Sequence, residues 1–428
     1  MKNIKRVAAV AAILIAAAAG VVVGTVTHIP VRPGRGPASA RARNDRAVTD
    51  AQRPPADGHD IDTWAAAPAD LGDRFSDRTV RDIVDTSIGG WGTRIRLSNA
   101  PGTAPVTFGA VYVGVQAAGA GLKFGSDHRV TFTGADGVTV PAGAEALSDP
   151  VPGYVPAGTS LSVTVYVAAT RGLATGHPQA EQTSYVSGAG DFAAAATAAP
   201  FRDATGDWYF LDGVEVTVPA RTGLVVCFGD SITDGHESTA NANGRYPDDL
   251  ARRLLAEPSA DQLGVANEGL SSNELTVNGP GADGGPPGES AVARFDRDVL
   301  SQPGVTTVIL SEGINDVGNG VPASQVIAAD EQIIDQAHAA GLRILGGTLT
   351  PFQGAFYYSP AKERNWERVN TWIRTSGAFD GVIDFAKAVQ DPADPLRLKP
   401  ADDSGDHLHP GDAGYQAMAD AISLSLLK

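Results

Sequence analysis

Cysteine and methionine are scarce in this 428-residue chain, which contains one cysteine and two methionines. A single cysteine excludes an internal disulfide bond, so we expect stability to come from hydrophobic cores. Cys227 lies in the apolar run LVVCF at 224–228, which predicts a buried thiol rather than a reactive one. The chain also has no Cys/His cluster with the spacing of a zinc site. We therefore expect no metal and no cofactor.

Basic residues are also fewer than acidic ones. The chain has 33 Lys and Arg residues against 49 Asp and Glu residues, for a net charge of −16. Such a surface repels nucleic acid and anionic lipid, so neither is an expected partner. Neutral glycans and soluble small molecules are compatible with it.

The N-terminus has the layout of an export segment. Lys2, Lys5 and Arg6 precede an apolar stretch at residues 7–23. The stretch is long for a signal peptide and short for a membrane span, so a cleaved signal peptide and an uncleaved signal anchor over residues 1–29 both stay open. In either case we expect the protein outside the cytoplasm, secreted or tethered to the cell surface.

The remaining chain divides into three regions by composition. Residues 30–60 are rich in Pro, Arg, Ala and Asp without a periodic apolar pattern, which predicts a disordered linker. Residues 61–220 are predicted to form a β-sandwich, jelly-roll-like domain, and residues 221–428 an α/β domain. Each of these two regions is long enough to bury a core of its own.

Two local patterns support this division. In the first domain, runs of Val, Thr, Ile and aromatic residues are separated by turn residues at intervals that suit a sandwich. In the second, strand and helix patterns alternate, which is typical of a parallel sheet covered on both faces. The predicted sandwich strands are 93–97, 106–115, 129–133, 138–141 and 161–167. The predicted strands of the α/β domain are 224–228, 305–310, 343–348 and 381–385, with helices around Val326 to Ala337, around Trp366, Val369 and Ile373, and around Tyr415, Met418, Ile422 and Leu426.

A serine and a distant histidine are the strongest candidates for catalysis. Ser231 lies in GDSIT at 229–233, directly after a predicted strand, where we expect it to be exposed at the rim of the sheet. A serine hydroxyl needs a general base, and the base needs a third group to orient it. His409 and Asp406, in DHLHP at 406–410, have the residue types and the spacing for these two roles.

Two further segments contain candidate hydrogen-bond donors. NEGLSSN at 267–273 includes Gly269, and GIND at 313–316 includes Asn315. Ester hydrolysis passes through a tetrahedral oxyanion, and donors aimed at that oxygen stabilise it. The backbone N–H groups of Ser231 and Gly269 and the side-chain amide of Asn315 are predicted to form this oxyanion hole.

The ordered set GDSIT, NEGLSSN, GIND and DHLHP resembles the SGNH (GDSL-type) hydrolase superfamily of esterases and lipases. The four blocks span about half of the chain. The resemblance implies a flavodoxin-like, doubly wound parallel sheet. It implies Ser231 as the nucleophile, His409 as the base and Asp406 as the orienting acid, with Gly269 and Asn315 as oxyanion donors beside Ser231.

Two residues differ from what the resemblance would lead us to expect. Ile232 stands where the family name has a leucine, and Glu312 places an extra acid directly before the GIND block. We expect Glu312 to point away from the oxyanion site. The region that begins at TWAA, residues 63–66, resembles the N-terminal part of actinobacterial-type secreted SGNH hydrolases, which have a β-sandwich ahead of the catalytic domain.

The role of the predicted sandwich stays open, since this architecture serves sugar binding, packing and adhesion alike. Four aromatic residues there are expected to be core or boundary residues rather than a sugar-binding surface. They are Trp64, Trp91, Tyr112 and Tyr166. His177 is expected to be a solvated loop residue, with an approach to the active site across the domain interface as the alternative. His407 is expected to be a loop residue rather than a metal ligand.

These observations favour a secreted or tethered serine esterase that acts on small acyl esters, including acetyl groups on polysaccharide. A lipase, phospholipase or thioesterase with the same machinery is one alternative. A carbohydrate-binding surface protein with a relic hydrolase domain is another. No long apolar lid is predicted, and the Gly/Pro-rich residues 280–288 are expected to border the substrate.

Overall fold

The computed structural model describes residues 54–258, 261–279 and 288–428. The predicted export segment, residues 30–53 of the predicted linker and residues 280–287 of the predicted substrate-bordering loop lie outside these ranges. The first strand begins at Gly58, inside the predicted linker, so that prediction extends too far toward the C-terminus. Among the described residues, no helix is both long and apolar enough to cross a membrane.

The first half of the described chain contains strands only. They are β1 (Gly58–Ala65), β2 (Ala69–Asp70), β3 (Ser76–Asp85), β4 (Gly90–Ser98), β5 (Val106–Ala118), β6 (Gly121–Leu122), β7 (His128–Val130), β8 (Val138–Val140), β9 (Glu145–Leu147), β10 (Val151–Val155), β11 (Ser160–Thr170), β12 (Thr175–His177), β13 (Ser184–Ala189), β14 (Phe201–Thr205), β15 (Trp208–Tyr209) and β16 (Leu211–Pro219).

These strands form antiparallel sheets, as predicted for this half. One sheet has the order β1-β16-β4-β10, and β9 pairs with β4. A larger one has the order β14-β13-β3-β11-β5-β6, and β7 and β8 pair with β5. A small sheet, β15-β12-β2, contains His177. Strand β7 is shorter than predicted because Thr133 has a left-handed backbone, with φ of 50°, in a turn that Asp149 caps.

The second half alternates strands with helices. Its strands are β17 (Leu224–Gly229), β18 (Gly264–Gly269), β19 (Val305–Ser311), β20 (Arg343–Gly347), β21 (Gly381–Ile383), β22 (Gln390–Asp391) and β23 (Asp394–Leu398). Its α-helices are α1 (Ser231–Asp234), α2 (Tyr246–Leu255), α3 (Ala291–Phe295), α4 (Ile314–Asn319), α5 (Ala323–Ala339), α6 (Pro360–Thr375), α7 (Phe385–Val389) and α8 (Asp412–Ala421). A π-helix at Asp296–Leu300 and a 3-10 helix at Leu424–Leu427 complete this half.

The five strands of the main sheet are all parallel and have the order β18-β17-β19-β20-β21. In chain order this is second, first, third, fourth, fifth, the flavodoxin-like arrangement. The predicted fold class is therefore confirmed for both halves. The order places the carboxyl ends of β17, β18 and β19 side by side, where ligands bind in open α/β sheets.

Two predicted elements end earlier than expected. Strand β21 stops at Ile383 because Asp384 caps a helix, accepting a hydrogen bond from the N–H of Lys387, and Phe385 belongs to α7. The last predicted helix stops at Ala421, so Ile422 lies just outside it and Leu426 lies in the 3-10 turn.

Each half has its own buried apolar cluster. Cys227 is fully buried in the interior strand β17, as predicted, and burial raises its pKa. Trp366, Val369 and Ile373 form the buried face of α6, also as predicted. Trp64 belongs to the cluster of the β-rich half. The residue bounds assigned to the two domains from sequence stay predictions.

A buried cluster of charges connects the two halves. Arg96 on β4 forms ion pairs with Asp62, Asp212 and Glu215, each at 3.3 Å. It also donates to the side-chain oxygen of Gln302 in the α/β half, at 2.6 Å. Burial raises the pKa of Asp62 to about 7, although Arg96 acts to lower it. One guanidinium thus contacts three buried carboxyl groups next to the junction and supplies the positive charge that they share.

We predict that Arg96→Met lowers the free energy of unfolding by about 3–5 kcal/mol, because it leaves buried carboxyl groups without their cation. Urea denaturation followed by tryptophan fluorescence measures the effect. Arg129→Met is the control, because its ion pair with Asp136 is exposed to solvent and should contribute little. Equal decreases in the free energy of unfolding in the two variants would contradict the proposed stabilising role of the buried Arg96.

Candidate active site

The turn after β17 delivers Ser231 to the carboxyl end of the sheet. A Cβ on Gly229 would lie 2.2 Å from the carbonyl oxygen of Ser311 and from Oγ1 of Thr233, so only glycine fits there. Asp230 then caps α1 by accepting a hydrogen bond from the N–H of Ile232, at 2.9 Å. Ser231 is therefore the first residue of a short helix that follows the end of β17.

The structure brings Ser231, His409 and Asp406 together in the predicted order. Ser231 Oγ lies 2.8 Å from His409 Nε2, and His409 Nδ1 lies 2.6 Å from Asp406 Oδ2. An ionised carboxylate only accepts hydrogen bonds, so Nδ1 carries the proton and Nε2 is left to accept from the serine hydroxyl. This is the arrangement that activates a serine.

The serine is less accessible than expected from its position on the sheet. Ser231 is 6% exposed and His409 is 7% exposed. The expectation of an exposed serine is therefore wrong, because α1 and the loops after neighbouring strands surround the hydroxyl.

Asp406 is held in its ionised form. Its Oδ1 accepts the backbone N–H groups of Leu408 and His409, at 2.9 and 2.8 Å, while Oδ2 faces the imidazole. Partial burial acts to raise the pKa of Asp406, but the hydrogen bonds from His409 outweigh it and hold the pKa well below its usual range. The acid can therefore orient the imidazole without taking its proton.

Asn315 lies in the first turn of α4, after the left-handed Gly313, whose φ is 110°. It is buried, and its Nδ2 donates to the carbonyl oxygen of Asn273 at 2.8 Å. The carboxylate of Asp316 accepts the backbone N–H groups of Leu275 and Thr276. Helix α4 thus fixes the loop after β18 through two consecutive side chains. An amide nitrogen carries two hydrogens, so this bond leaves Asn315 one further donor.

Gly269 requires a correction. Its backbone N–H donates to the side-chain oxygen of Asn267, at 3.0 Å, and is not directed at the serine. A Cβ at this position would lie 2.1 Å from the nitrogen of Asp234, so the glycine is needed for close packing of α1 on β18. The predicted oxyanion role of Gly269 does not agree with this geometry, since the sequence pattern does not separate a donor glycine from a packing glycine.

Three residues near the site were not singled out from the sequence. Ser272 is buried and has a left-handed backbone, with φ of 64°, directly before Asn273. Asp234 and Ser271 are bonded to each other through the carboxylate and the hydroxyl, at 2.7 Å. Serine and aspartate are common turn residues, so their types alone carried no signal.

Glu312, the extra acid before the GIND block, faces a buried cation. Its Oε2 lies 3.7 Å from Nη2 of Arg294. Burial raises the pKa of Glu312 well above its usual range, and the charge of Asp230 raises it further. A raised pKa favours the neutral acid, which would not oppose a developing oxyanion.

Arg294 itself is fully buried below the strand ends. It donates to the carbonyl oxygens of Gly229 and Glu268, at 2.8 and 2.9 Å, and to the side-chain oxygen of Asn273, at 2.8 Å. One side chain thus satisfies acceptors at the ends of β17 and β18 and in the following loop.

His177 is buried, so the expectation of a solvated loop histidine is wrong and the alternative holds. It lies on β12 of the β-rich half, and its Nε2 is 2.9 Å from Oδ1 of Asp234 on α1. The sequence did not reveal this because the partner is an aspartate in the other half of the chain.

Two other histidines lie near His409. The ring of His236 contacts that of His409 edge to face, with centroids 4.6 Å apart. Burial is the main cause that lowers the pKa of His236, and the charge of the nearby His409 lowers it further. His407 is a loop residue, as expected, with its Nδ1 2.6 Å from Asp403. Within the described part of the chain, no group of three or more His, Cys, Asp or Glu side chains could hold a metal ion.

Residues 227–417 match the GDSL-like Lipase/Acylhydrolase family. A search of curated proteins finds no match to the chain. Similar solved structures include a lipolytic protein of the G-D-S-L family from Desulfitobacterium hafniense, with 21% identity over 48% of this chain and 100% of that one and a TM-score of 0.36.

Two further similar structures have comparable scores. A GDSL-like lipase from Bacteroides thetaiotaomicron has 16% identity over 47% of this chain and 87% of its own, with a TM-score of 0.37. An acetyl xylan esterase, AlAXEase, has 19% identity over 46% of this chain and 96% of its own, with a TM-score of 0.35.

We predict that a fluorophosphonate reagent forms one covalent adduct on Ser231, with loss of fluoride and transfer of the hydroxyl proton to His409. His409→Ala should slow this reaction roughly a thousandfold, because the base is removed. Intact-mass spectrometry follows the adduct over time. Ser238→Ala, at another buried serine, is the control and should react like the wild type. An adduct that persists in Ser231→Ala would contradict the assignment.

Proposed function

We propose that the chain is a serine esterase that hydrolyses small carboxylic esters, on the premise that residues 227–417 match the GDSL-like Lipase/Acylhydrolase family. The observation that carries the proposal is the continuous hydrogen-bonded series from Ser231 through His409 to Asp406, at 2.8 and 2.6 Å. Family membership supports ester hydrolysis in general, and the geometry identifies the groups proposed to perform it.

In the proposed reaction, Ser231 Oγ attacks the acyl carbon while His409 Nε2 takes the hydroxyl proton. The tetrahedral intermediate collapses, the bond from carbon to the alcohol oxygen breaks, and the imidazolium returns its proton to the leaving alcohol. Water then attacks the acyl-enzyme with His409 again as the base. This second cycle releases the carboxylic acid and restores Ser231. Asp406 stabilises the imidazolium in both cycles.

Two donors are proposed for the oxyanion. The backbone N–H of Ser231 lies in the first turn of α1, where it has no partner within the helix. The second hydrogen on Nδ2 of Asn315 is the other, because the first is bonded to Asn273. Gly269 is left out of this set because its N–H is bonded to Asn267.

Small acyl groups are the proposed substrates. The low exposure of Ser231 and His409, 6% and 7%, favours a short acyl chain over a bulky one. The net charge of −16 favours a neutral alcohol part, such as an acetylated polysaccharide, over an anionic lipid surface. The predicted export segment supports the proposal that the enzyme acts outside the cytoplasm.

Hydrolysis rates across p-nitrophenyl esters from acetate to palmitate, measured beside acetate release from acetylated xylan, test the proposal. We expect the highest kcat/KM for acetate or butyrate. Ser231→Ala should reduce hydrolysis to the uncatalysed rate while the circular dichroism spectrum stays unchanged. A maximum at long chains would favour the lipase alternative. Absence of any ester hydrolysis by the wild type would overturn the proposal.

We predict that Asn315→Ala lowers kcat roughly a hundredfold or more, since it removes one oxyanion donor. Stopped-flow or steady-state hydrolysis of p-nitrophenyl acetate measures the change. Asn319→Ala is the matched control on the same helix, because Asn319 bonds to Glu274 and has no proposed role in the reaction. An unchanged kcat in Asn315→Ala would remove this side chain from the oxyanion hole.

A further inference from the structure

His177 and Asp234 form a buried ion pair between the β-rich half and the helix that begins with Ser231. The side chains are 3% and 4% exposed, and Nε2 lies 2.9 Å from Oδ1. The other ring nitrogen, Nδ1, lies 2.9 Å from the carbonyl oxygen of Ala67. A carbonyl and an ionised carboxylate can only accept, so both ring nitrogens donate and the imidazole is positively charged.

The same carboxylate also binds the loop after β18. Oδ2 of Asp234 accepts the hydroxyl of Ser271 at 2.7 Å and the backbone N–H of Ser271 at 3.2 Å. Because Asp234 is the last residue of α1, this one side chain ties the nucleophile helix to the loop. Breaking the carboxylate's contacts would therefore free both segments together.

That loop continues directly to the proposed oxyanion hole. Its residue Asn273 accepts, through its carbonyl oxygen, the hydrogen bond from Nδ2 of Asn315. Contacts thus run without interruption from His177 through Asp234 and Ser271 to the segment that holds Asn315. Ser231 lies at the other end of the same short helix, one turn from Asp234.

We propose that His177 is a positioning residue for the proposed hydrolysis, through its pairing with Asp234, and that the β-rich half is in this way a working part of the catalytic centre. This inference rests on the proposed function. It assigns to the β-rich half a role other than carbohydrate binding: that half contributes the cation that the nucleophile helix and its loop need.

The charge balance supports this role. A buried charged side chain is stabilised by a partner of opposite charge within hydrogen-bond reach, and His177 lies beside Asp234 at 2.9 Å. Burial acts to lower the pKa of His177, but the charge and hydrogen bond of Asp234 outweigh it, and the pKa is raised above its ordinary 6.5. Arg245 acts in the opposite direction on the pKa of His177, and its Nη2 donates to the carbonyl oxygen of Ala180.

Two substitutions of His177 in the full chain separate positioning from packing. His177→Phe keeps a ring beside Trp208, which contacts His177 with centroids 5.5 Å apart, but removes both donors. His177→Gln keeps one donor that can reach Asp234. We expect kcat for p-nitrophenyl acetate to fall roughly ten- to hundredfold in His177→Phe, with KM within about twofold, and to be partly restored in His177→Gln.

The matched control is Asn243→Ala. It removes another hydrogen bond between the two halves, from Nδ2 of Asn243 to Asp85 at 2.9 Å, without touching α1. We expect wild-type kcat in this variant. A loss equal to that of His177→Phe would overturn the inference, because any weakening of the junction would then have the same effect.

The rate of fluorophosphonate labelling at Ser231 gives a second readout that needs no substrate. It should fall in the same order as kcat, so the inference can be judged even if the wild type fails to hydrolyse any ester tested. Wild-type rates in a folded His177→Phe, or equal losses in the Phe and Gln variants, would overturn it. If His177→Phe does not fold, the Asp234→Asn variant is measured in its place. Wild-type rates in Asp234→Asn would also overturn the inference.

Discussion

Helix α1 lies so close to the ends of β17 and β18 that neither strand can end in a residue with a side chain. A Cβ on Gly229 would collide with Ser311 and Thr233, and a Cβ on Gly269 would collide with the backbone of Asp234. This close approach fixes both ends of a four-residue helix. Ser231 is held above strand β17, and Asp234 is held above the loop that follows β18. The geometry of the proposed site depends on these two contacts because the helix is too short to be stable by itself.

Close packing buries polar groups at the strand ends and at the junction of the two halves, and two buried arginines bind them. Arg294 serves the carbonyl oxygens at the ends of β17 and β18, and Arg96 serves the carboxyl groups at the junction of the two halves. Such groups add little net stability over an apolar core, yet removing one partner is costly. The buried contacts of the two arginines therefore favour one arrangement of the strand ends, because a displaced strand end would leave buried polar groups without a partner.

The fold could be predicted largely from local patterns. Alternating strands and helices after residue 221 predicted a parallel sheet, and the apolar runs at 224–228 and 305–310 are strands β17 and β19. The ends of elements were less predictable: a capping aspartate, Asp384, stops β21 early, and its effect depends on the backbone around it.

The site was predictable where residue type and chemistry coincide. Ser231, His409 and Asp406 are the types that the reaction needs, and the structure brings them together. Gly269 was misassigned because a glycine can serve either as an oxyanion donor or as a point of close packing, and only the neighbouring helix distinguishes these. His177 lacked any local signal, since its role comes from a carboxylate that the chain reaches only after another 57 residues.

A boundary drawn from sequence pattern need not be a boundary of function. The α/β half contains the proposed nucleophile, base and acid, but the cation that pairs with Asp234 comes from β12. Without His177, the carboxylate of Asp234 would lose the donor that binds Oδ1, and its orientation toward Ser271 would no longer be fixed from that side. The bonds to Ser271 would weaken, and so would the fixed relation between the nucleophile and the loop near Asn315. Although each half has its own core, it therefore does not follow that the α/β half would be fully active without the β-rich half.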